Sequence, residues 1–288
     1  MSNTKVDASQ SPKNFLAKPG QKLTALIGAS LLIGALITAF PFIWMLTSSV
    51  KPQRESVSYP PTIISRHMTF QYFQELFTQL NFGRYLLNTI AVVAIGFLGL
   101  IFMAMAGYAF AKFEFRGKSS MFFLVLATMM IPIQVTMIPT YLILNSLKLT
   151  NTLVGIAVPT LVSGFNIFLF RQFMSTLPSE IFEAAKLDGA GEWRTFWRIV
   201  MPMSVPILAV QAVLTFIAGW NSFLWPLIIA NDQNLYTLSV GLSLLNRQLA
   251  TNPSLQMAAA SIMVVPILFV FVIFQRYIVQ GFALSGLK

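Results

Sequence analysis

The stretch YLLNTIAVVAIGFLGLIFMAMAGYAFA, Tyr85–Ala111, contains 27 residues and not one charged side chain. A bilayer-spanning helix needs about 20 consecutive, mostly apolar residues. In lipid the backbone must satisfy its own polar groups, so a run of this kind is a helix unless it belongs to a barrel. Barrel strands are about 9–11 residues long and alternate in polarity, and this run does not alternate. The reading is therefore a transmembrane α-helix.

Five more charge-free windows surround it: Leu23–Val50, Ser119–Leu147, Leu149–Phe170, Ile199–Asn231 and Gln248–Gln275. The fold class expected is an all-α integral membrane protein with six transmembrane helices, over about 23–47, 85–111, 120–143, 153–173, 204–228 and 257–276. The whole chain agrees: of 288 residues 56% are hydrophobic and 10% charged, against about 25% charged in a soluble domain. The first window is too long for a signal-peptide core of about 7–15 residues.

Composition also excludes functions. There is no cysteine and a single histidine, His67, so no thiolate or multi-histidine metal site is expected. The net charge of +10 does not signal nucleic-acid binding, because the basic residues are scattered between apolar runs rather than clustered. They orient the chain instead. With the N-terminus inside, thirteen of the 19 Lys and Arg fall on the cytoplasmic side and six outside, which predicts N-in, C-in.

Between the spans, 1–22 reads as a disordered cytoplasmic tail, 48–84 as an external loop and 277–288 as a cytoplasmic tail. Within the external loop, Thr69–Asn81 suits a short amphipathic helix. Residues 84–276 form the transmembrane core, and 229–256 reads as a polar, flexible external loop. No internal repeat suggests inverted halves.

The long cytoplasmic segment, 178–202, carries most of the functional signal. Ser179 suits an N-cap, and Glu180 and Glu183 suit a first turn where the helix dipole favours anions. Gly189 or Gly191 suits a left-handed stop. The prediction is a slim helix of about ten residues, with Ala184 and Ala185 smoothing one flank for a groove on a partner. Trp193, Phe196, Trp197 and Val200 follow at i, i+3, i+4 and i+7, the pattern of an interfacial helix. Pro202 and Pro206 then turn the chain into the fifth span.

Glu183-Ala184-Ala185, three residues, Gly189, nine residues, Ile199, one residue and Met201-Pro202 resemble the EAA signature of ABC importer permeases, with Met201 in place of the usual leucine. Phe168–Phe173, Gly219–Pro226 and Gln275–Gly281 are similar to the carbohydrate-uptake branch, of the kind of the maltose importer's smaller membrane subunit. The resemblance implies a type I ABC importer permease importing a sugar or oligosaccharide. Glu183, Ala184, Ala185, Leu187, Asp188 and Gly189 would couple it to the ATPase. It implies a homologous second permease subunit, two ATPase subunits that bind ATP and Mg, and an extracytoplasmic solute-binding protein, which Arg247 and Asn252 would approach. The chain has no Walker A loop and needs no cofactor of its own.

Polar residues inside spans are Asn88, Gln134, Asn166, Gln211 and Asn221. They either line a solute path or bond helix to helix. No span holds a charge, which argues against ion-coupled transport. Three other readings stand: an ABC permease for a polyamine or glycerol phosphate, an ion-coupled secondary transporter, and a non-transporting scaffold. A phosphate solute calls for Arg or Lys near the pore. The second predicts ionophore sensitivity, and the third predicts no ATPase in a pull-down.

Overall fold

The computed structural model describes residues 19–248 and 252–285, and all regular structure among them is helical. Helix α1 is Pro19–Ser48. Two short helices follow, α2 at Gln53–Ser56 and α3 at Gln71–Thr78. The long helix α4 is Phe82–Lys112 and holds no internal proline. Then come α5 (Lys118–Met129), α6 (Ile133–Ser146), α7 (Leu153–Ala157), α8 (Gly164–Ser175) and α9 (Ser179–Leu187). A further helical stretch holds α10 (Glu192–Thr195), a π turn at Phe196–Val200 and α11 (Met201–Met203). The chain ends with α12 (Val205–Trp220), α13 (Leu224–Ile229), α14 (Leu238–Gln248) and α15 (Pro253–Ser285).

Four stretches are long and apolar enough to cross a bilayer alone: Leu23–Ser48, Phe82–Lys112, Leu153–Ser175 and Pro253–Gln275. Two bent pairs bring the number to six if each counts as one span. The expected span 120–143 is therefore not one rod. It breaks between α5 and α6 with a bend of 104°. Pro132, which has no N–H to donate, caps α6 without a side-chain bond and forces the interruption. The expected fifth span is also shorter than the window. The π turn and Pro202 lead to a 78° bend before α12, and α12 stops at Trp220.

Other boundaries shift too. Helix α1 begins at Pro19, inside the expected tail, and residues 1–18 lie outside the described set. Helix α15 continues through most of the expected C-terminal tail, to Ser285. Between α1 and α4 the expected amphipathic helix is α3, anchored by buried Tyr72 and Leu76. The segment expected to be flexible, 229–256, instead carries α14, whose Leu238, Val240 and Leu245 are buried.

Helix α4 is the spine, and α8 packs along it at close range. Gly107 makes this possible, since a Cβ on it would stand 2.9 Å from the Arg171 amide, and Gly99 does the same for the 3-10 turn Val158–Leu161 just before α8, where a Cβ would stand 2.8 Å from Leu161 Cα. Lipid offers no hydrophobic drive between helices, so small residues that let backbones touch supply the packing. Buried side chains gather at the two ends of α4. Tyr72, Phe82, Tyr85 and Trp220 with α14 and α15 close the N-terminal end. Tyr108, Phe170, Met174, Phe182, Phe196 and Val200 close the other.

The apolar stretch of α1 is not buried within the chain at all, and it leans chiefly on α15. That face is left for lipid or for another subunit.

Candidate functional site

Helix α9 projects from the C-terminal end of α4. Pro178 occupies its cap position and gives no side-chain bond, so Ser179 is the first helical residue rather than the cap expected of it. Glu180 alone is the acid of the first turn, with Lys186 in the last; both complement the dipole. Glu183 lies one turn further on than expected.

The helix ends as the sequence suggests, at Gly189 rather than Gly191. Gly189 has φ +73, a conformation that costs a residue with a Cβ. Its N–H donates to the Lys186 carbonyl at 3.0 Å, and the Ala190 N–H donates to the Ala185 carbonyl at 2.9 Å. Those two bonds form a Schellman stop.

The candidate coupling residues do not all face one way. Phe182 and Ala185 turn into the bundle, whereas Glu183, Ala184, Leu187, Asp188 and Gly189 are exposed. Ala185 is therefore a packing residue, and Ala184 alone smooths the outer flank. Leu187 stands at the tip of the helix and is 89% exposed. On this projecting helix it touches little of its own protein and is free to meet a partner.

The aromatic stripe after α9 splits into two faces. Phe196 and Val200 are buried, while Trp193 is 63% and Trp197 39% exposed. The two tryptophans meet edge to face at 5.9 Å.

At the base of α9 the structure gathers four side chains that the sequence pattern did not single out. Lys112 Nζ donates to the Leu177 carbonyl at 2.6 Å. The Tyr108 hydroxyl donates to Glu192 Oε2 at 3.4 Å, and Lys186 pairs with Glu192 at 3.8 Å. The available signal was a lysine closing the charge-free window of α4, where a cation suits the helix C-terminus.

A cavity of about 820 Å³ opens on one side of α4. Val92, Val93 and Gly96 of α4, the break between α5 and α6, the start of α8 and one face of α12 line it. Among the described residues no charged side chain lines it. Polar groups on its wall include Thr128, Thr136, Thr160, Ser163, Asn166, Thr215 and Ser222. The hydroxyls of Thr128, Thr136 and Thr160 donate to carbonyls of their own turns, so each offers the cavity acceptor lone pairs. The Thr215 hydroxyl is buried with no partner among the described residues.

Of the five polar residues proposed for a path, only Asn166 lines this cavity. Gln211 is fully buried, and its Nε2 donates to the Asn166 backbone carbonyl at 3.1 Å. Asn88 is buried near the N-terminal end of α4 and donates to the carbonyls of Asn234 and Tyr236 at 2.7 and 3.0 Å. It pins the segment leading to α14, which is the helix-bonding role. Gln134 and Asn221 are exposed and outside the cavity lining.

Asn252 is committed locally: its Oδ1 accepts from the Leu255 N–H at 3.1 Å, capping α15. Arg247 lies in α14, and its side chain is outside the described set. No group of three or more His, Cys, Asp or Glu side chains gathers as a metal site among the described residues.

Comparison with known proteins bears on the whole arrangement. The family described as binding-protein-dependent transport system inner membrane component matches residues 103–283. The chain is 33% identical over 261 residues to the arabinooligosaccharides transport system permease protein AraQ of Halalkalibacterium halodurans, covering 88% of this chain and 92% of that one. It is 31% identical over 267 residues to the diacetylchitobiose uptake system permease protein NgcG of Streptomyces coelicolor, with 91% and 88% covered. It is 33% identical over 260 residues to the sn-glycerol-3-phosphate transport system permease protein UgpE of Yersinia pestis, with 87% and 92% covered. A chain of a bacterial ABC transporter involved in the import of the acidic polysaccharide alginate shares the fold, with TM-score 0.79 at 24% identity over 91% of this chain and 99% of that one.

Proposed function

Since the chain belongs to the family of binding-protein-dependent transport system inner membrane components, we propose that it is the membrane-spanning permease of an ABC importer that carries a neutral sugar or oligosaccharide into the cell. It works in the cytoplasmic membrane beside a homologous second permease. Two separate ATPase subunits bind ATP and Mg, and an extracytoplasmic binding protein delivers the solute. Helix α9 is the coupling element and faces the cytoplasm. Glu183, Ala184, Leu187, Asp188 and Gly189 meet the ATPase, while Ala185 holds the helix to the bundle. The segment carrying Arg247 and Asn252, at the opposite end, faces the binding protein.

The observation that carries this reading is the exposed Leu187 at the tip of a helix whose stop, Gly189, keeps the signature spacing. The uncharged cavity supports the solute class. Hydroxyl-rich solutes bond to hydroxyls and amides, whereas a phosphate or carboxylate asks for a cation, and the wall supplies none. This separates the proposed solute from the glycerol phosphate and alginate handled by the relatives.

The test is reconstitution of the full complex in liposomes with its binding protein and a panel of labelled oligosaccharides. Uptake that requires ATP and the binding protein is expected. Uptake driven by a proton or sodium gradient without ATP would overturn the reading.

A further inference from the structure

We propose that Tyr108 and Lys112 are positioning residues that clamp the base of α9 to α4, so that a push on α9 reaches the cavity wall along one rigid helix. The proposal rests on the permease reading above. Lys112 holds the turn between α8 and α9 through the Leu177 carbonyl at 2.6 Å, and its ammonium lies 4.9 Å from the centre of the Phe182 ring. Tyr108, one turn earlier, stacks on Phe182 at 6.1 Å and packs on Phe196 at 5.7 Å. Its hydroxyl reaches Glu192 at 3.4 Å. The same carboxylate faces Lys186 of α9 at 3.8 Å. One end of α4 thus grips the start of α9, its inward face and the helix that follows it.

A cavity of about 190 Å³ lies among these side chains. Helix α9 is therefore held at points rather than along a filled face, and the clamp is its attachment. Helix α4 is unbroken and has no internal proline. It carries Val93 and Gly96 on the large cavity, about 24–28 Å from Lys112 at 1.5 Å per residue. A displacement at the clamp moves the wall without passing through a hinge.

The experiment measures solute imported per ATP hydrolysed in liposomes holding the complete transporter. Lys112→Met and Tyr108→Leu are expected to lower that ratio about 2- to 30-fold, the span of effects seen for residues that carry coupling. Lys112→Arg, which keeps the cation and the carbonyl contact, is expected to restore it. A residue that only supports the fold lowers import and hydrolysis together and leaves the ratio unchanged. Glu192→Gln is surface-exposed and keeps the fold in any case; its ratio is expected to drop about 2-fold. Unchanged ratios in Glu192→Gln and in whichever of the other variants assemble would overturn the clamp. Absence of ATP-dependent uptake in the wild type would instead overturn the permease reading.

Discussion

Gly107 on α4 lies against Phe170 on α8 with no room for a side chain, since a Cβ there would overlap the Phe170 Cβ and stand 2.9 Å from the Arg171 amide. Phe170 is itself completely buried, and the backbone beside it has nowhere to go. The contact locks the two helices together one turn above Lys112.

Gly107→Ala therefore overpacks the interface and is expected to destabilise the protein by about 1–3 kcal/mol. Thermal unfolding of the purified chain checks this. Gly28 on α1 has open space around its Cβ direction, so Gly28→Ala is the control, expected to leave the melting point unchanged or slightly raised because alanine suits a helix interior.

Asn88 separates the structural reading of in-span polar residues from the transport reading. Asn88→Ala leaves the Tyr236 carbonyl without its donor and the Asn234 carbonyl with only the Arg84 Nε bond, at a cost of about 1–3 kcal/mol. The expected outcome is a lower melting temperature with the order of preference among solutes unchanged. A change of preferred solute would place Asn88 on the path.

Between α1 and α4, Glu55 accepts from the Ser65 hydroxyl at 2.8 Å and the Arg66 N–H at 3.2 Å. The Ser65 bond, with a smaller contribution from Arg66, holds its carboxyl below the ordinary carboxylate value. A depressed folded value stabilises the loop above the unfolded pKa and is lost as pH falls through the folded one. Hydrogen exchange at Arg66 is therefore expected to show protection at neutral pH that fades on acidification. Ser65→Ala should shift that fading to higher pH.

Gly189→Pro removes the N–H that donates to Lys186 and fixes φ far from +73. Glu183→Lys reverses the charge on the exposed side of α9. Both variants are expected to insert at normal levels and to lose solute uptake. Normal uptake by both, at normal abundance, would remove α9 from the coupling role.

Charge-free windows exposed the spans because charge is costly in the hydrocarbon core of a bilayer, and the stop at Gly189 was legible because only glycine takes that conformation cheaply. The break at Met130–Pro132 was not, because an interruption that lines a cavity needs no charge to satisfy it, so the apolar window ran through it unmarked. Helix α14 was missed for the opposite reason. Its polar residues suggested solvent, yet Leu238 and Leu245 bury themselves against Tyr85 and α15. The split of Ala184 from Ala185 and the grip of Lys112 depend on how α9 sits on α4, which no local pattern encodes. Asn166 alone among the path candidates reached the cavity, because an amide in a span bonds a neighbouring helix as readily as a solute.

The chain contains no cysteine, so Leu187→Cys creates a single thiol at the tip of α9. A membrane-impermeant thiol reagent added to inside-out vesicles is the most direct test of the central claim. The thiol is expected to be labelled when the ATPase subunits have been stripped away and to be protected when they are bound. Labelling from the outer face of intact cells, or labelling unaffected by the ATPase, would contradict the account.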